Sequence, residues 1–381
     1  MNIKLDSLKK INTGIILKAL KKSDMTRVEL QKYTELAAGT VSNLIKELVA
    51  DKVILETDIE KNKERGRKGT VLSLNSNYKY IIGMKINRGV IIGSLNSIDG
   101  EMLQELSLDI GGKEEIQVTK CIVKIYELLK QNREILGVGI AFPGQIDSLK
   151  GIVRYSSFYK WENIHLIETL QSFIDVPVFL ENDVRAMTLA EKEFFDKEFR
   201  NLLYINIDKG ISAGIIINGS LLFGDNFIAG QIGHTFIENN NKQCSCGKIG
   251  CLETISSNTA ILGEYSNRLN LNSCDITIES FIEKIRENDD IAHDIFDHSV
   301  YALAIAISNI SNTFNISNLV IGGELLKLDL TLKILDNYLQ KLCLPYVYEN
   351  LIIKKSHFNH RNNTIGGVSV VLNKFFEGEI I

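Results

Sequence analysis

Proline and tryptophan are scarce in this chain: its 381 residues include three prolines and one tryptophan. No long stretch rich in proline, serine or glycine and no low-complexity segment appears, which excludes extended flexible linkers. No apolar run approaches the length of a membrane span, and the N-terminus lacks the basic, apolar and small-residue pattern of a signal peptide. These absences predict a cytoplasmic protein without a membrane partner.

Disulfide-like cysteine spacing is also lacking. Three of the six cysteines, Cys121, Cys274 and Cys343, are scattered along the chain, which fits a reducing compartment. The length suggests two or three domains, and a hydrophobic fraction of 45% is enough for well-formed cores. Sequence composition therefore indicates an ordinary multidomain globular protein.

Charge is distributed unevenly along the chain. Residues 1–80 contain 16 lysines and arginines against 10 acidic residues, a net charge of +6, whereas the remainder carries a net charge of −10. A basic module on an acidic body suggests that a polyanion binds the module alone. A solvated basic surface has the same composition, so charge by itself does not decide between the two.

The first 50 residues predict three short helices. Apolar residues follow helical spacing in 6–22, and Thr26 with Glu29 forms a capping-box pattern that begins a second helix. In a third helix over 39–48, apolar residues at i, i+3, i+4 and i+7 predict one buried face. This arrangement is typical of a helix-turn-helix. Its outward candidates for DNA contact are Thr40, Ser42, Asn43 and Lys46.

A β-hairpin wing is predicted after the third helix. Residues 53–55 and 71–74 are strand-like, and a charged loop separates them. Basic side chains in such a loop reach phosphates or a narrow minor groove, although many hairpin tips are simply solvated. Together with the three helices and the local charge, the wing favours DNA binding. Its candidate contacts are Arg65, Arg67 and Lys68.

A dense group of metal-ligand types occupies 230–253, which reads GQIGHTFIENNNKQCSCGKIGCLE. Three thiols and an imidazole satisfy a tetrahedral Zn²⁺ with no open position, the structural kind of site. Gly247 and Gly250 would let the chain turn tightly enough for the ligands to converge. The alternative is a set of buried thiols and a core histidine, but clustering favours zinc. The predicted ligands are His234, Cys244, Cys246 and Cys251.

The same stretch, GQIGH followed by CSCGKIGCLE, resembles the signature of the ROK family of repressors, open reading frames and sugar kinases. In that family the segment binds zinc and forms one wall of a hexose pocket. The wing sequence GRKGTVLSL is similar to that of ROK repressors, and the resemblance covers nearly the whole chain. It implies an α/β protein with an N-terminal winged helix-turn-helix and a two-lobed actin/RNase-H-like body.

Domain boundaries are expected to follow this resemblance. The winged helix-turn-helix would occupy 1–76, and the first lobe 77–197 together with a closing helix in 366–381. The second lobe, with the zinc site, would occupy 198–365. Each lobe begins with strand-hairpin patterns, but no repeat is visible at the level of residues.

Sugar-binding residues are implied by the resemblance. The strand VPVFLEND ends in Asn182 and Asp183, which match the family's Asn-Asp pair; capping of the following helix is a second role open to them. Gln231 replaces the family's usual glutamate, His234 contacts both sugar and zinc, and Glu253 matches a sugar-binding glutamate. In ROK kinases the equivalent of Asp183 takes the proton from the attacked hydroxyl.

Both phosphate loops of the ROK kinases are altered here. Residues 85–89 read KINRG where the kinases have an acidic, glycine-rich turn, and residues 208–214 keep only Gly210 and Gly214 of a second loop. Bulky side chains replace glycines where the backbone must approach ATP phosphates. The sequence therefore predicts no catalytic residues and no enzyme activity.

The functional expectation is a sugar-responsive transcriptional regulator, a repressor of a carbohydrate-utilisation operon of the xylose type. It would bind double-stranded operator DNA as a homodimer or dimer of dimers and respond to a monosaccharide. No residue decides between xylose, glucose and N-acetylated amino sugars. The alternative is an ATP-dependent ROK sugar kinase with an appended DNA-binding domain.

Overall fold

The structure is a computed structural model that describes residues 2–59, 69–194, 199–270, 276–358 and 364–381. The chain forms two compact units. The first unit contains residues 1–144, 148–181 and 364–381, and the second contains 145–147 and 182–363. Both mix helices with sheets, as the sequence predicts.

The first unit begins with the winged helix-turn-helix. Its elements in chain order are α1 (Asn2–Lys22), β1 (Met25–Thr26), α2 (Arg27–Thr34), α3 (Ala38–Ala50), β2 (Ile54–Ile59) and β3 (Gly69–Leu74). The predicted capping box begins α2, because Thr26 Oγ1 accepts the backbone N–H of Glu29 while the Glu29 carboxylate accepts that of Thr26.

The inner face of α3 is the one predicted from its apolar spacing. Val41, Leu44, Ile45 and Leu48 are all buried. Helix α1 is confirmed too. Of the apolar residues at helical spacing, Ala19 is buried but Leu8 and Ile11 are each 55% exposed, and Ile16 and Leu17 are buried as well. Periodicity thus located the helix but did not identify its buried side.

The wing is a two-stranded antiparallel hairpin extended by β1. Strand β3 pairs with β2 on one edge and with β1 on the other. The Arg27 guanidinium lies 2.5 Å from the Glu56 carboxylate and joins α2 to β2. The predicted tip contacts Arg65, Arg67 and Lys68 lie outside the described residues.

The remainder of the first unit is built on a five-stranded sheet. The elements that follow the wing are β4 (Tyr80–Ile86), β5 (Val90–Asn96), β6 (Met102–Asp109), α4 (Glu115–Lys130), β7 (Ile135–Phe142), β8 (Gln145–Asp147), β9 (Ile152–Ser156), β10 (Trp161–Ile164), α5 (Leu166–Gln171) and β11 (Val178–Asn182). All but β8 and the last residue of β11 belong to this unit.

Strand order in this sheet is β11-β7-β4-β5-β6. Strands β4, β5 and β6 form an antiparallel meander, one strand more than the single hairpin expected for this segment, and β7 runs parallel to β4. Every residue of β7 is buried, which fits a strand with both faces covered.

The second unit contains the elements from the end of β11 up to the C-terminal helix. They are α6 (Asp183–Phe194), β12 (Leu202–Ile207), β13 (Ile211–Ile217), β14 (Ser220–Leu221), α7 (Glu253–Ser256), α8 (Asn258–Leu269), α9 (Ile278–Arg286), α10 (Asp290–Phe314), β15 (Asn318–Gly323), α11 (Leu330–Leu342), α12 (Pro345–Tyr348) and β16 (Ile352–Lys355). Short 3₁₀ helices occupy Ile232–His234 and Glu324–Lys327.

The sheet of the second unit repeats the order of the first. Its strands run β14-β13-β12-β15-β16, with β12 to β14 antiparallel and with β15 and β16 joining in parallel. The two units therefore share a meander followed by two further strands on its first edge. This is the duplicated architecture that the sequence predicts without showing a repeat.

The final helix, α13 (Ile365–Phe376), belongs to the first unit. It packs on β7 and β4 so closely that a Cβ on Gly139 would lie 2.0 Å from the Gly367 carbonyl oxygen. Glycine at both positions permits this contact. The chain therefore returns to its first unit, as expected for the closing helix.

Within the described ranges, no helix is both long enough and apolar enough to cross a membrane.

Candidate functional site

A cysteine-rich loop in the second unit forms the centre of the candidate site. It runs from Gly230 through a 3₁₀ turn to the start of α7. Isolated antiparallel bridges join Phe236 to Cys251 and Gln243 to Ile249, so the chain doubles back on itself. The predicted ligands are thereby brought together although the first and the last are 17 positions apart in sequence.

Four side chains converge in this loop. The ligand atoms of His234, Cys244, Cys246 and Cys251 all lie within 4.8 Å of one another. The Cys244 Sγ lies 3.6 Å from His234 Nδ1, and the Cys246 Sγ lies 3.6 Å from the Cys251 Sγ. The second distance is far too long for a disulfide, and all three cysteines are free.

The two 3.6 Å distances fit a tetrahedral zinc ion. Bond lengths of about 2.3 Å to sulfur and 2.0 Å to nitrogen place neighbouring sulfurs about 3.8 Å apart, and sulfur and nitrogen about 3.5 Å apart. The donor set of three thiolates and one imidazole is also one that zinc prefers. The residues present therefore fit a closed metal site.

Two glycines make the loop geometry possible. Gly247 and Gly250 have φ values of 88° and 91°, a region that side-chain-bearing residues rarely adopt. A Cβ on Gly250 would also lie 2.6 Å from the Phe236 ring. The predicted tight turns are confirmed.

The thiols differ in their environments. Burial, together with side-chain hydrogen bonds to the neighbouring cysteines, raises the pKa of Cys251 to about 12. A hydrogen bond from the backbone N–H of Lys248 instead lowers the pKa of the exposed Cys246. Because cysteine binds a metal as the thiolate, metal binding would have to displace the protons of these thiols. The metal affinity would therefore depend on pH.

An ion-pair chain attaches the loop to the helices behind it, and nothing in the sequence pattern identifies it. Lys242 Nζ lies 2.6 Å from Glu264 Oε2, and Glu264 Oε1 lies 3.0 Å from the Arg268 guanidinium. Arg268 in turn reaches the Asp294 carboxylate on α10 at 2.5 Å. Lys242 and Arg268 together lower the pKa of Glu264.

Asn182 and Asp183 lie where β11 ends and α6 begins. The Asn182 Oδ1 accepts the backbone N–H groups of Val184 and Arg185 at 3.0 and 3.1 Å, so Asn182 caps the helix. Its Nδ2 donates to the Asp183 carboxylate at 3.0 Å. Capping of the following helix, the second role open to this pair, is therefore observed. The hydrogen bonds hold both side chains in defined orientations.

Glu253 is the first residue of α7, directly after the zinc-ligand candidates. Its Oε2 accepts the Ile211 backbone N–H at 3.1 Å. Gly210 makes room for this carboxylate, since a Cβ there would lie 2.4 Å from Oε2. Gly210, one of the two glycines in 208–214, therefore has a packing role against Glu253.

His234 and Gln231 flank a close approach between the loop and β13. A Cβ on Gly230 would lie 1.9 Å from the Ala213 carbonyl oxygen, and the Ala213 N–H donates to the Gly230 oxygen at 2.8 Å. Because Nδ1 of His234 faces Cys244, Nε2 is the nitrogen on the other side of the ring. Gln231 is exposed.

A buried arginine next to these residues was missed by sequence reasoning. Arg185 on α6 is 3% exposed and donates to two backbone carbonyls. The only signal was an arginine between Val184 and Ala186, two positions after Asp183.

The DNA-contact candidates lie in the first unit. On α3, Ser42, Asn43 and Lys46 are exposed and Thr40 is half-buried at its start. The opposite face carries the buried apolar residues, so these polar side chains point away from the core.

Comparison with known proteins supports one family. The ROK family profile matches residues 82–374. The xylose repressor of Caldicellulosiruptor bescii is 28% identical, with 96% of each chain covered. The DNA-binding transcriptional repressor Mlc of Escherichia coli is 26% identical, with 99% of this chain and 96% of that protein covered.

Solved structures agree. A ROK family transcriptional regulator described as a homologue of Escherichia coli Mlc superposes with a TM-score of 0.89 at 28% identity, covering 98% of each chain. A ROK hexokinase from Thermus thermophilus superposes with a TM-score of 0.68 at 18% identity, covering 79% of this chain and 99% of that one, which shows the shared fold alone. With its family profile, its full-length relatives and its cysteine-rich loop, the chain belongs to the ROK family.

Proposed function

We propose that this ROK protein is a sugar-responsive transcriptional repressor. The observation that carries the proposal is a winged helix-turn-helix on a ROK body. Full-length relatives named as repressors support it, since they match across both parts of the chain. The proposed target is a bacterial operator, and the proposed location is the cytoplasm.

The DNA-binding step is assigned to α3 and the wing. In a helix-turn-helix the second helix enters the major groove, where hydroxyl, amide and ammonium groups bond base edges and phosphates. Ser42, Asn43 and Lys46 offer those groups, with Thr40 at the start of the helix. Arg65, Arg67 and Lys68 are proposed to contact the backbone or minor groove. Two copies acting as a dimer would read two half-sites.

The sugar-binding step is assigned to Asn182, Asp183, Gln231, His234 and Glu253. Carboxylate and amide oxygens accept hydrogen bonds from sugar hydroxyls, and buried groups of this kind reject ligands that leave them unpaired. Two of these side chains are already oriented: Asn182 is held by the N-terminus of α6, and Glu253 by the Ile211 N–H. Neither side chain has to be ordered when a sugar binds, which reduces the entropic cost of binding.

Zinc is the proposed cofactor, held by His234, Cys244, Cys246 and Cys251. A closed tetrahedral zinc cross-links the loop and supplies structural stability rather than reactivity. Since Glu253 follows Cys251 by two residues, and His234 belongs to both sets, the loop conformation determines where both sugar contacts lie. Metal binding and sugar binding are thereby linked.

We infer that the protein is not a kinase. Residues 85–89, KINRG, lack the acidic residue and glycines of the kinase loop. Without bound ATP there is no phosphoryl group for a sugar hydroxyl to attack, so Asp183 does not act as a general base. It only accepts a hydrogen bond from that hydroxyl.

A xylose-type effector is proposed because a full-length relative is named a xylose repressor. Gln231 lacks the charge of the usual glutamate, so it donates as well as accepts.

A selection experiment tests the proposal. Full-length zinc-loaded protein is used to enrich duplexes from a randomised DNA library. Fluorescence anisotropy on the enriched duplex then follows release by D-xylose, D-glucose, N-acetyl-D-glucosamine or N-acetyl-D-mannosamine. We expect paired half-sites and release by one sugar. Absence of any enriched sequence, or ATP consumption with one of these sugars, would overturn the proposal.

A further inference from the structure

A buried cation on α6 adjoins the proposed sugar contacts. Arg185 is 3% exposed, and its backbone N–H donates to the Asn182 Oδ1. An arginine side chain keeps its charge at every accessible pH. Burying it is costly unless its donors are satisfied, so its position requires a structural reason.

The guanidinium joins α6 to two separate segments of the second unit. Its Nη1 donates to the Phe227 carbonyl at 2.7 Å, and its Nη2 donates to the Ile146 carbonyl on β8 at 2.7 Å. The planar group also lies over the Phe223 ring, with 5.3 Å between its carbon and the ring centroid. One side chain therefore positions three pieces of chain.

The segment that contains Phe227 leads directly into the cysteine-rich loop. It closes on itself, because the Ala229 N–H donates to the Phe223 oxygen at 3.0 Å. Phe227 has a φ of 59°, an unusual conformation for a residue with a side chain. Three residues later the chain is fixed on β13 through the bond between Ala213 and Gly230. Arg185 thus holds one end of the stretch that delivers Gln231 and His234.

We propose that Arg185 is a positioning residue for sugar recognition. Through its two carbonyl bonds it sets where Gln231 and His234 stand relative to Asn182 and Asp183, which lie at the start of its own helix. This inference rests on the proposed sugar-binding function. It goes beyond that function by assigning affinity control to a side chain that need not touch the ligand. A planar fork is required, because an ammonium group donates from a single point and cannot span both carbonyls in the same way.

The first test replaces the fork and retains the charge. Arg185→Lys is compared with wild type by calorimetric titration with D-xylose, D-glucose and N-acetyl-D-glucosamine, at a temperature where both proteins are folded. We expect the dissociation constant for the sugar to rise about tenfold or more. This factor corresponds to the loss of one hydrogen bond from a charged donor. Zinc content and sugar-free DNA affinity should stay unchanged. Wild-type sugar affinity in the variant would overturn the proposal.

Lys192 provides a matched control on the same helix. Its ammonium donates to the Gly219 carbonyl at 2.9 Å, at a turn that belongs to neither proposed site. Lys192→Met also removes a bond from a cation to a carbonyl, but it should leave the sugar affinity as in wild type. A purely structural role for Arg185 would make the two variants behave alike, with lower thermal stability and unchanged sugar affinity.

A second measurement does not depend on sugar binding. Hydrogen–deuterium exchange on the sugar-free, zinc-loaded protein reports the amides of Ala213 and Ala229, whose bonds tie the segment together. In Arg185→Lys, exchange should accelerate in 223–234 and 145–147 but not in β12 or β15. Unchanged or uniformly faster exchange would contradict the positioning role. If the wild-type protein bound no sugar, the proposed function would be wrong. The exchange data would still show whether Arg185 holds 223–234 and 145–147 in place.

Discussion

The carboxylate of Glu253 accepts the backbone N–H of Ile211 at 3.1 Å, so the first residue of α7 is attached to the turn that begins β13. Together with the bond between Ala213 and Gly230, it connects the cysteine-rich loop to the sheet of the second unit. It also turns a carboxylate proposed to bind sugar toward a fixed direction.

Gly210→Ala should weaken sugar binding. The added Cβ would lie 2.4 Å from Glu253 Oε2, so the carboxylate has to move and its bond to Ile211 is lost or lengthened. We expect roughly a tenfold loss of sugar affinity, equivalent to about one hydrogen bond, measured by calorimetric titration. The control is Gly263→Ala in α8, where nothing lies within 4 Å. It should keep the affinity and stabilise the helix by up to about 1 kcal/mol.

Cys251→Ser should abolish stoichiometric zinc binding. It removes a buried ligand of the proposed site and leaves three donors, so much of the metal's contribution to folding is lost, on the order of several kcal/mol. Metal analysis and thermal unfolding measure both effects. Cys121→Ser, outside the loop, is the control and should retain the metal. Full zinc content in the Cys251 variant would show that this thiol is not a ligand.

Substitutions on the two faces of α3 should affect different properties: the buried face should control stability, and the exposed face DNA affinity. Ile45→Ala empties a fully buried position and should cost about 2–5 kcal/mol in denaturant unfolding. Lys46→Ala is on the exposed face and should change stability by less than about 0.5 kcal/mol. It should weaken DNA binding and lower the slope of log affinity against log salt by about 1 if the lysine contacts a phosphate. An unchanged salt slope with unchanged affinity would remove Lys46 from the interface.

Glu191→Gln should change how stability depends on pH. Glu191 is 0% exposed and accepts a hydrogen bond from the Ser356 hydroxyl. Burial raises its pKa above the ordinary value of 4.5. Its contribution to stability is therefore complete below the unfolded-state pKa and is lost as pH rises through the folded-state pKa. Above that pKa the neutral glutamine should be more stable than the wild-type carboxylate.

Denaturant unfolding at a series of pH values measures this difference. The exposed residue Glu127 on α4 supplies the control, since Glu127→Gln should follow the wild-type curve. If Glu191→Gln also followed that curve, the carboxyl would have the same proton affinity in the folded and unfolded chain.

Local sequence patterns predicted a large part of the structure. The Thr26–Glu29 capping box and the inner face of α3 depend on contacts within one or two helical turns, and both were predicted correctly. The cluster of His234 with three cysteines could also be predicted, because few other ligand groups have that composition and spacing.

Helix α1 shows why the rest could not be predicted. Leu8, Ile11, Ile15 and Ala19 have helical spacing, yet only Ala19 is buried. The buried side was determined by distant chain: a Cβ on Gly14 would lie 2.8 Å from the Glu377 carbonyl, more than 360 residues away in sequence. Periodicity reports that one face is apolar, but only packing decides which face is covered.

The sequence alone determined the helix caps, the zinc-ligand candidates and membership of the ROK family, since each depends on residue types at short fixed spacing. Only the tertiary structure decided the strand order within the two sheets and that Arg185 bonds the carbonyls of Ile146 and Phe227. These features depend on backbone groups from remote segments. Every non-proline residue carries the same backbone groups, so no residue pattern specifies which of them will pair.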